Sequence, residues 1–245
     1  MTDHFNEAAE YMDMIGRRHE LGVAFNDLLT MSLCSYHKTN IKSNLLVKDA
    51  PNEELYMQTI AKYSKEHINI FPKILAKLHL QVFDDPYSDI LGHYYTERIT
   101  KGQNGQYFTP GAICEILAKL QGAGEDVEHK TVYDPACGSG RLLMCFAKHA
   151  PRNYFFGNDK NETCAKMAAL NFFINGMVGE VACMDSLSME WSCGWQINTD
   201  GIGITPIHKD QSRIWTAPPE PQKIILPSEN PDDPAGKPGA QLDLF

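Results

Sequence analysis

Asp134-Pro135-Ala136-Cys137-Gly138-Ser139-Gly140 follows directly on the β-rich triplet Thr131-Val132-Tyr133. A tight glycine-containing turn from strand to helix lets the backbone approach a ligand closely at a helix N-terminus, and the acid beside it can hold an amino or hydroxyl group. It is not a phosphate loop, because the G-x-x-x-x-G-K-[ST] spacing is absent. Metal chemistry is not expected: the nine histidines form no H-x-H or H-E-x-x-H pattern, and the seven cysteines form no C-x-x-C pair. An odd number of scattered cysteines reads as reduced thiols.

The elements that must position this turn change character along the chain. From Asn6 to about Tyr36, apolar residues recur at helical steps (Met12, Ile15, Leu21, Phe25, Leu28, Leu29, Leu33), with a kink expected near Gly22. A second helical run is expected from Asn52 as its cap, with Glu53 and Glu54 in the first turn and Tyr56, Ile60, Tyr63 and His67 on its face. Pro72 should end it and open a further helix. Thr109 is expected to cap another, with Pro110 at its first position and Ile113, Ile116, Leu117 and Leu120 as its core stripe. Beyond the 101–105 glycine stretch, strands at Val132-Tyr133, Tyr154-Phe155-Phe156, Val181–Met184 and Ile214-Trp215 alternate with helices at Leu142–His149 and Glu162–Ile174. Such alternation implies parallel pairing and an α/β sheet. The expected division is a helical module over 1–100, an α/β domain over 101–226, a Pro/Gly-rich linker over 227–240 and a tail over 241–245.

D-P-A-C-G-S-G resembles motif I of the adenine-specific DNA methyltransferases, and most closely that of the modification subunits of type I restriction systems. The resemblance implies a Rossmann-like sheet, shortened at its far end, that binds S-adenosyl-L-methionine. It assigns Asp134, Ala136, Gly138 and Gly140 to the cofactor. Gly105-Gln106-Tyr107-Phe108-Thr109-Pro110 is similar to the family's cofactor element before the first strand, which adds Phe108, Thr109 and Pro110. Asp89-Ile90-Leu91-Gly92 with Tyr95 is similar to a family helix start. By the same resemblance Asp159 would bind the ribose hydroxyls, and Asp185, in Met184-Asp185-Ser186-Leu187, would reach the adenine. Asp159 also reads as a helix cap and Asp185 as a solvated loop acid, and both alternatives stand at this point.

Active members carry Asn or Asp, then Pro-Pro, then Tyr or Phe after the fourth strand. The target amine is conjugated with its ring and nucleophilically weak, so side-chain and backbone oxygens must accept its hydrogens as charge develops, while the aromatic stacks on the flipped base. Here Thr216 is followed by Ala217-Pro218-Pro219-Glu220. These are the catalytic positions of a degenerate motif, without the oxygen and without the ring. Asn198 is one candidate for the missing oxygen, and the run also reads as an ordinary Pro-rich turn. One further strand, Lys223-Ile224-Ile225-Leu226, is expected before the linker.

Gln241-Leu242-Asp243-Leu244-Phe245 resembles the pentapeptide by which bacterial proteins dock on the sliding clamp. The alternative is a tail that tucks onto its own domain. Lys38, Lys42, Lys48, Lys62, Lys65, Lys73 and Lys77 offer a surface for DNA, or simply the solvated faces of helices. A net charge of −9 argues against coating nucleic acid by bulk electrostatics. The apolar share of 43% and charged share of 22% fit a globular chain. The longest apolar run, Leu142–Ala147, falls far short of the roughly 20 residues that span a bilayer, and the N-terminus lacks a secretory signal, so a cytoplasmic protein is expected. The resemblance implies an adenine DNA methyltransferase acting with DNA and with a specificity or full-length modification subunit. The competing expectation is a non-catalytic adaptor working through the clamp or a restriction-modification partner.

Overall fold

The computed structural model describes residues 3–38, 50–100, 109–124 and 126–216. Phe108, Ala217–Glu220, the expected 223–226 strand, the linker and the Gln241–Phe245 tail lie outside them. The N-terminal portion is helical throughout: α1 (Asp3–Gly16), α2 (Leu21–Ser35), α3 (Ala50–Ile60), α4 (Lys65–Ile68), α5 (Phe71–Asp84) and α6 (Ile90–Tyr94), which runs into a π-helical turn over Tyr95–Thr100. The break between the first two helices falls at 17–20, and Gly22 lies inside α2. Asn52 is not a cap either; it sits within α3 and its amide donates to the Cys34 carbonyl at 3.1 Å. Pro72 does sit in the first turn of α5, where a missing N–H costs nothing.

After α7 (Gly111–Leu120), the chain builds β1 (Thr131–Asp134), α8 (Arg141–His149), β2 (Tyr154–Asp159), α9 (Glu162–Ile174), β3 (Val178–Asp185), β4 (Glu190–Ile197) and β5 (Ile204–Ile207), then a 3-10 turn at Lys209–Gln211 and α10 (Arg213–Thr216). The sheet order is β1-β2-β3-β4-β5. β1, β2 and β3 are parallel, as two helical crossovers require, whereas β4 and β5 return as antiparallel hairpins. The fold is therefore α/β with a helical N-terminal module, but parallel pairing does not extend through the sheet. Ile214-Trp215 is not a strand: it belongs to α10, whose amides at Arg213 and Ile214 donate to the buried Glu180 carboxylate of β3, with Ser212 bonded to the same group. A buried acid at a helix N-terminus satisfies donors that would otherwise be orphaned.

Phe155 and Val181 face α8 and α9 on one side of the sheet, where Phe146 and Phe172 pack edge-on to Phe155. Phe156, Ala182 and Met184 face Ile214 on the other. The main core runs unbroken from this first face into the N-terminal helices. Buried Lys166 of α9 reinforces that junction, donating to Thr30 and Asn26 of α2 at 3.0 and 3.3 Å.

The stripe expected on α7 mostly faces outward, with Leu117 alone of its four residues half-buried. Cys114 and Ala118 are buried, whereas Ile113, Ile116 and Leu120 are 48%, 58% and 71% exposed. The small residues face α8 because close helix packing favours them, and the large ones are left outside. No helix among the described residues is long and apolar enough to cross a membrane.

Candidate cofactor site at the carboxyl ends of the parallel strands

Asp134, Asp159 and Asp185 end β1, β2 and β3 in turn, so parallel pairing alone brings three acids from distant parts of the chain to one edge of the sheet. Between the first two lies the glycine turn. Gly138 and Gly140 have φ of 56° and 85°, left-handed values that favour glycine. A Cβ on Gly140 would also press on Phe172 at 3.1 Å. The Gly138 amide donates to Asp159 Oδ2 at 3.0 Å and the Cys137 amide to the Asn158 carbonyl at 2.9 Å, which fixes the turn against β2. Pro135 and Ala136 remain exposed on its outer side.

Asp134 accepts one hydrogen bond among the described residues, from the Ala136 amide at 3.0 Å. Burial pushes its carboxyl above the usual range; the Ala136 bond opposes the rise and the Asp159 carboxylate adds to it. Asp159 also accepts from the Asn161 amide at 2.8 Å, but the cap of α9 is Asn161, whose side chain accepts from Cys164. Asp159 is thus not the helix cap, and two bonds leave a carboxylate with acceptor capacity to spare. Asp185 lines an open cleft of about 420 Å3 together with Lys160, Asn161, Met184, Glu190 and Ser192. The amides of Ser188 and Leu187 hold its carboxyl below the usual range, with Lys160 assisting.

Thr109 and Pro110 stand beside this turn, though not as expected. Pro110 is itself the residue before α7, and Thr109 offers its carbonyl to Arg141 Nη1 at 3.0 Å. Asn198 is placed elsewhere. It turns the β4–β5 hairpin, donating to Met177 and accepting from Gly203, at the end of the sheet opposite the acids.

Two hubs hold the site, and neither was identified from sequence in that role. Asp89, whose side chain is 4% exposed, accepts from Ser139 Oγ (2.5 Å), Arg141 Nε (2.8 Å), the Gly92 amide (2.9 Å) and Asn171 Nδ2 (3.0 Å). It ties the start of α6 to the turn and to α9. A Cβ on Gly92 would collide with Asp89 and Ser139, so glycine is required there. The second hub is the fully buried Asn158, which donates to Ser186 Oγ, the Pro135 carbonyl and the Met184 carbonyl and accepts from Tyr133 Oη at 2.6 Å. The signal for Asp89 was the D-I-L-G run; for Asn158 it was a polar residue inside an apolar strand.

Of the lysines considered for DNA, Lys42 and Lys48 lie outside the described residues. Lys62 pairs with Asp27 at 3.0 Å, Lys77 with Glu7 and Lys38 with Asp200 at 3.5 Å, while Lys73 lies over the Tyr11 ring. Each of these four therefore has a partner within the chain, Lys73 and Lys77 on α5 and Lys38 and Lys62 just after helix ends.

Among curated proteins, the chain is similar to the type I restriction enzyme MjaVIII methylase subunit of Methanocaldococcus jannaschii, 28% identical over 123 residues that cover 47% of this chain and 21% of that protein. The MjaVII methylase subunit of the same organism is 23% identical over 175 residues, covering 66% and 29%. The chain therefore spans under a third of the length of these relatives. A solved type I restriction-modification system methyltransferase subunit from Streptococcus thermophilus is 19% identical, with a TM-score of 0.34 over 53% of this chain and 30% of that one. Residues 79–209, more than half of the chain and all of the site just described, match the N-6 DNA methylase family model, and the chain belongs to that family.

Proposed function

We propose that this protein binds S-adenosyl-L-methionine at the carboxyl ends of β1–β3 and serves methylation of the exocyclic amine of adenine in DNA. The observation that carries this reading is the partly buried Asp134 carboxylate, which accepts a single hydrogen bond among the described residues, beside the exposed Pro135-Ala136 side of the glycine turn, a place suited to a cationic ligand with amine and hydroxyl donors. When bound, the cofactor supplies an electrophilic methyl group on a sulfonium. Asp134 would hold its ammonium group, Gly138 and Gly140 would allow backbone approach, and the free lone pairs of Asp159 would take the ribose hydroxyls. Asp185 would face the adenine end across the cleft, and Thr109 and Pro110 would close the outer side.

For the transfer itself, the backbone oxygens of Ala217-Pro218-Pro219 can accept from the target amine, but Ala217 adds no side-chain oxygen and Glu220 no stacking face. We therefore assign efficient transfer to an assembly with DNA and a further subunit of a restriction-modification system, as the names of the relatives suggest. Calorimetric titration of S-adenosyl-L-methionine into the wild-type protein and Asp134→Ala tests the cofactor reading. Binding in the first and its loss in the second is expected; no binding by the wild type would overturn it.

A further inference from the structure

β3 and β4 carry two cysteines directly opposite each other, Cys183 being the register partner of Cys193. Opposed residues of an antiparallel pair point to the same face with Cα atoms about 4.5–5.5 Å apart, within the range of about 4.4–6.8 Å that a disulfide spans. The face is the one that α9 covers, since Val181, Cys183 and Trp195 belong to the main core and Cys193 packs against it. The register shifts immediately beyond the pair: Ser192 is the extra residue, and Trp191 crosses to the other face to stand opposite Met184. Of the seven cysteines, Cys193 alone is not buried. Cys114 and Cys145 also neighbour each other, between α7 and α8, but both are sealed in the core.

We infer that Cys183 and Cys193 form a reversible oxidation site, closed to a disulfide by hydroperoxides, and that the bond weakens cofactor binding in the cleft that Asp185 lines. Each thiol is the other's hydrogen-bonding neighbour, which eases the first ionisation of the pair and opposes the second. The remaining proton is shared between the two sulfurs, and Cys193 is the one a peroxide can reach. Its thiolate attacks the O–O bond, leaving Cys193 as the sulfenic acid and releasing the alcohol, or water from hydrogen peroxide. Cys183 then attacks the Cys193 sulfur; the S–OH bond breaks, and the hydroxide leaves as water with the Cys183 proton. Two thiols and one hydroperoxide thus give one disulfide, one alcohol and one water, the sulfurs losing the two electrons that the peroxide gains. The Cys183 thiol now donates to the Lys160 carbonyl at 3.8 Å, and Lys160, Met184, Asp185, Glu190 and Ser192 all line the cleft. Closing the bond removes that donor. It also draws the strands together, because opposed Cβ atoms stand about 4.5–5.5 Å apart and a disulfide needs about 3.5–4.5 Å. The movement falls on the strand ends that carry Asp185 and Glu190. The effect on the cleft deepens the proposed cofactor reading and rests on it; the disulfide itself does not.

Peptide mass mapping of the full-length protein tests the pair, because cleavage after Glu190 separates Cys183 from Cys193 and a disulfide leaves the two peptides linked. Treatment of the wild type with tert-butyl hydroperoxide should link them with the loss of two hydrogens, and dithiothreitol should reverse the change. Cys183→Ser should stop at the Cys193 sulfenic acid, trapped by dimedone, and Cys193→Ser should give neither product. Affinity for S-adenosyl-L-methionine should fall at least about fivefold when the wild type is oxidised, return with dithiothreitol, and stay constant under peroxide in Cys193→Ser. Unlinked peptides in the treated wild type overturn the inference, as does a link between Cys114 and Cys145 in their place. A linked protein that binds cofactor as tightly as the reduced one overturns it as well. Linked peptides in a wild type whose reduced form binds no cofactor uphold the oxidation site and remove the cofactor reading.

Discussion

Replacing Asp89 by alanine removes the acceptor on which the start of α6, the glycine turn and α9 converge. Four donors lose their partner: Ser139 Oγ, Arg141 Nε, the Gly92 amide and Asn171 Nδ2. Breaking a buried ion pair from one side costs about 3–5 kcal/mol, and each buried donor left unsatisfied about 1–3 kcal/mol. Arg141, 20% exposed, retains the Thr109 carbonyl, and Asn171 retains the Ser139 carbonyl, so the lower end applies, about 3–4 kcal/mol. At this chain length each kcal/mol lowers Tm by about 2–4 °C, so a fall of about 10 °C is expected by circular dichroism melting. Asp89→Asn keeps one acceptor oxygen and should lose roughly half as much. Cofactor affinity should fall in both variants although Asp134 is untouched, because the turn loses the group that holds Ser139. A melting point for Asp89→Ala within about 2 °C of wild type would refute the assignment of Asp89 as the hub.

Asp134 has a raised carboxyl in the folded protein, so its contribution to stability is full below the unfolded value of 3.8 and is lost as pH rises through the folded value. Asp134→Asn should therefore melt above wild type at pH 7 and converge with it under acid conditions, while binding cofactor more weakly; a lower melting point at pH 7 would contradict the burial argument. Ala217→Asn combined with Glu220→Phe should raise methyl transfer to adenine-containing DNA above that of the wild type, and equal rates would show that 217–220 is not the catalytic motif. The resemblance of Gln241–Phe245 to a clamp-docking pentapeptide predicts that the wild type is captured on an immobilised bacterial sliding clamp and that Leu244→Ala with Phe245→Ala is not; no capture of the wild type, or undiminished capture of the variant, would remove that role from the tail.

The helix over 162–174 and the strand-ending Asp134 were legible because a helix-compatible run between two β-rich runs and the D-P-A-C-G-S-G turn are local signals, whereas Asp159 and Asp185 were singled out by the family resemblance. The β4–β5 hairpin was not, although Trp191, Cys193, Trp195 and Ile197 alternate at the strand period. Two strands joined without a helix break the strand–helix alternation that marks the rest of the sheet. Ile214-Trp215 has strand-like residues, but the buried Glu180 carboxylate, contributed from β3, supplies donors' partners that only a helical turn can use. The α7 stripe failed for a related reason. Helical spacing identifies an apolar face without saying which face meets the core, and Cys114 and Ala118 decided it by fitting closely against α8. The Asp89 hub joins residues 50 and 82 positions apart, a separation no local pattern reveals.

The one-way strand order has a kinetic consequence. Each strand pairs with the next one made, so the sheet can grow by short loop closures as the chain emerges, the regime in which assembly is fast. The helical module runs against that order. Ala24, Phe25, Leu28, Leu29, Met31 and Leu33 of α2 are synthesised early, yet their helix docks on α9, and Lys166 reaches Thr30 across 136 residues. The most apolar helix of the module is thus among the first made; α1 and α3 cover part of it early, but the face that meets α9 waits for that helix, leaving a nascent surface that invites chaperones while the sheet is still being built.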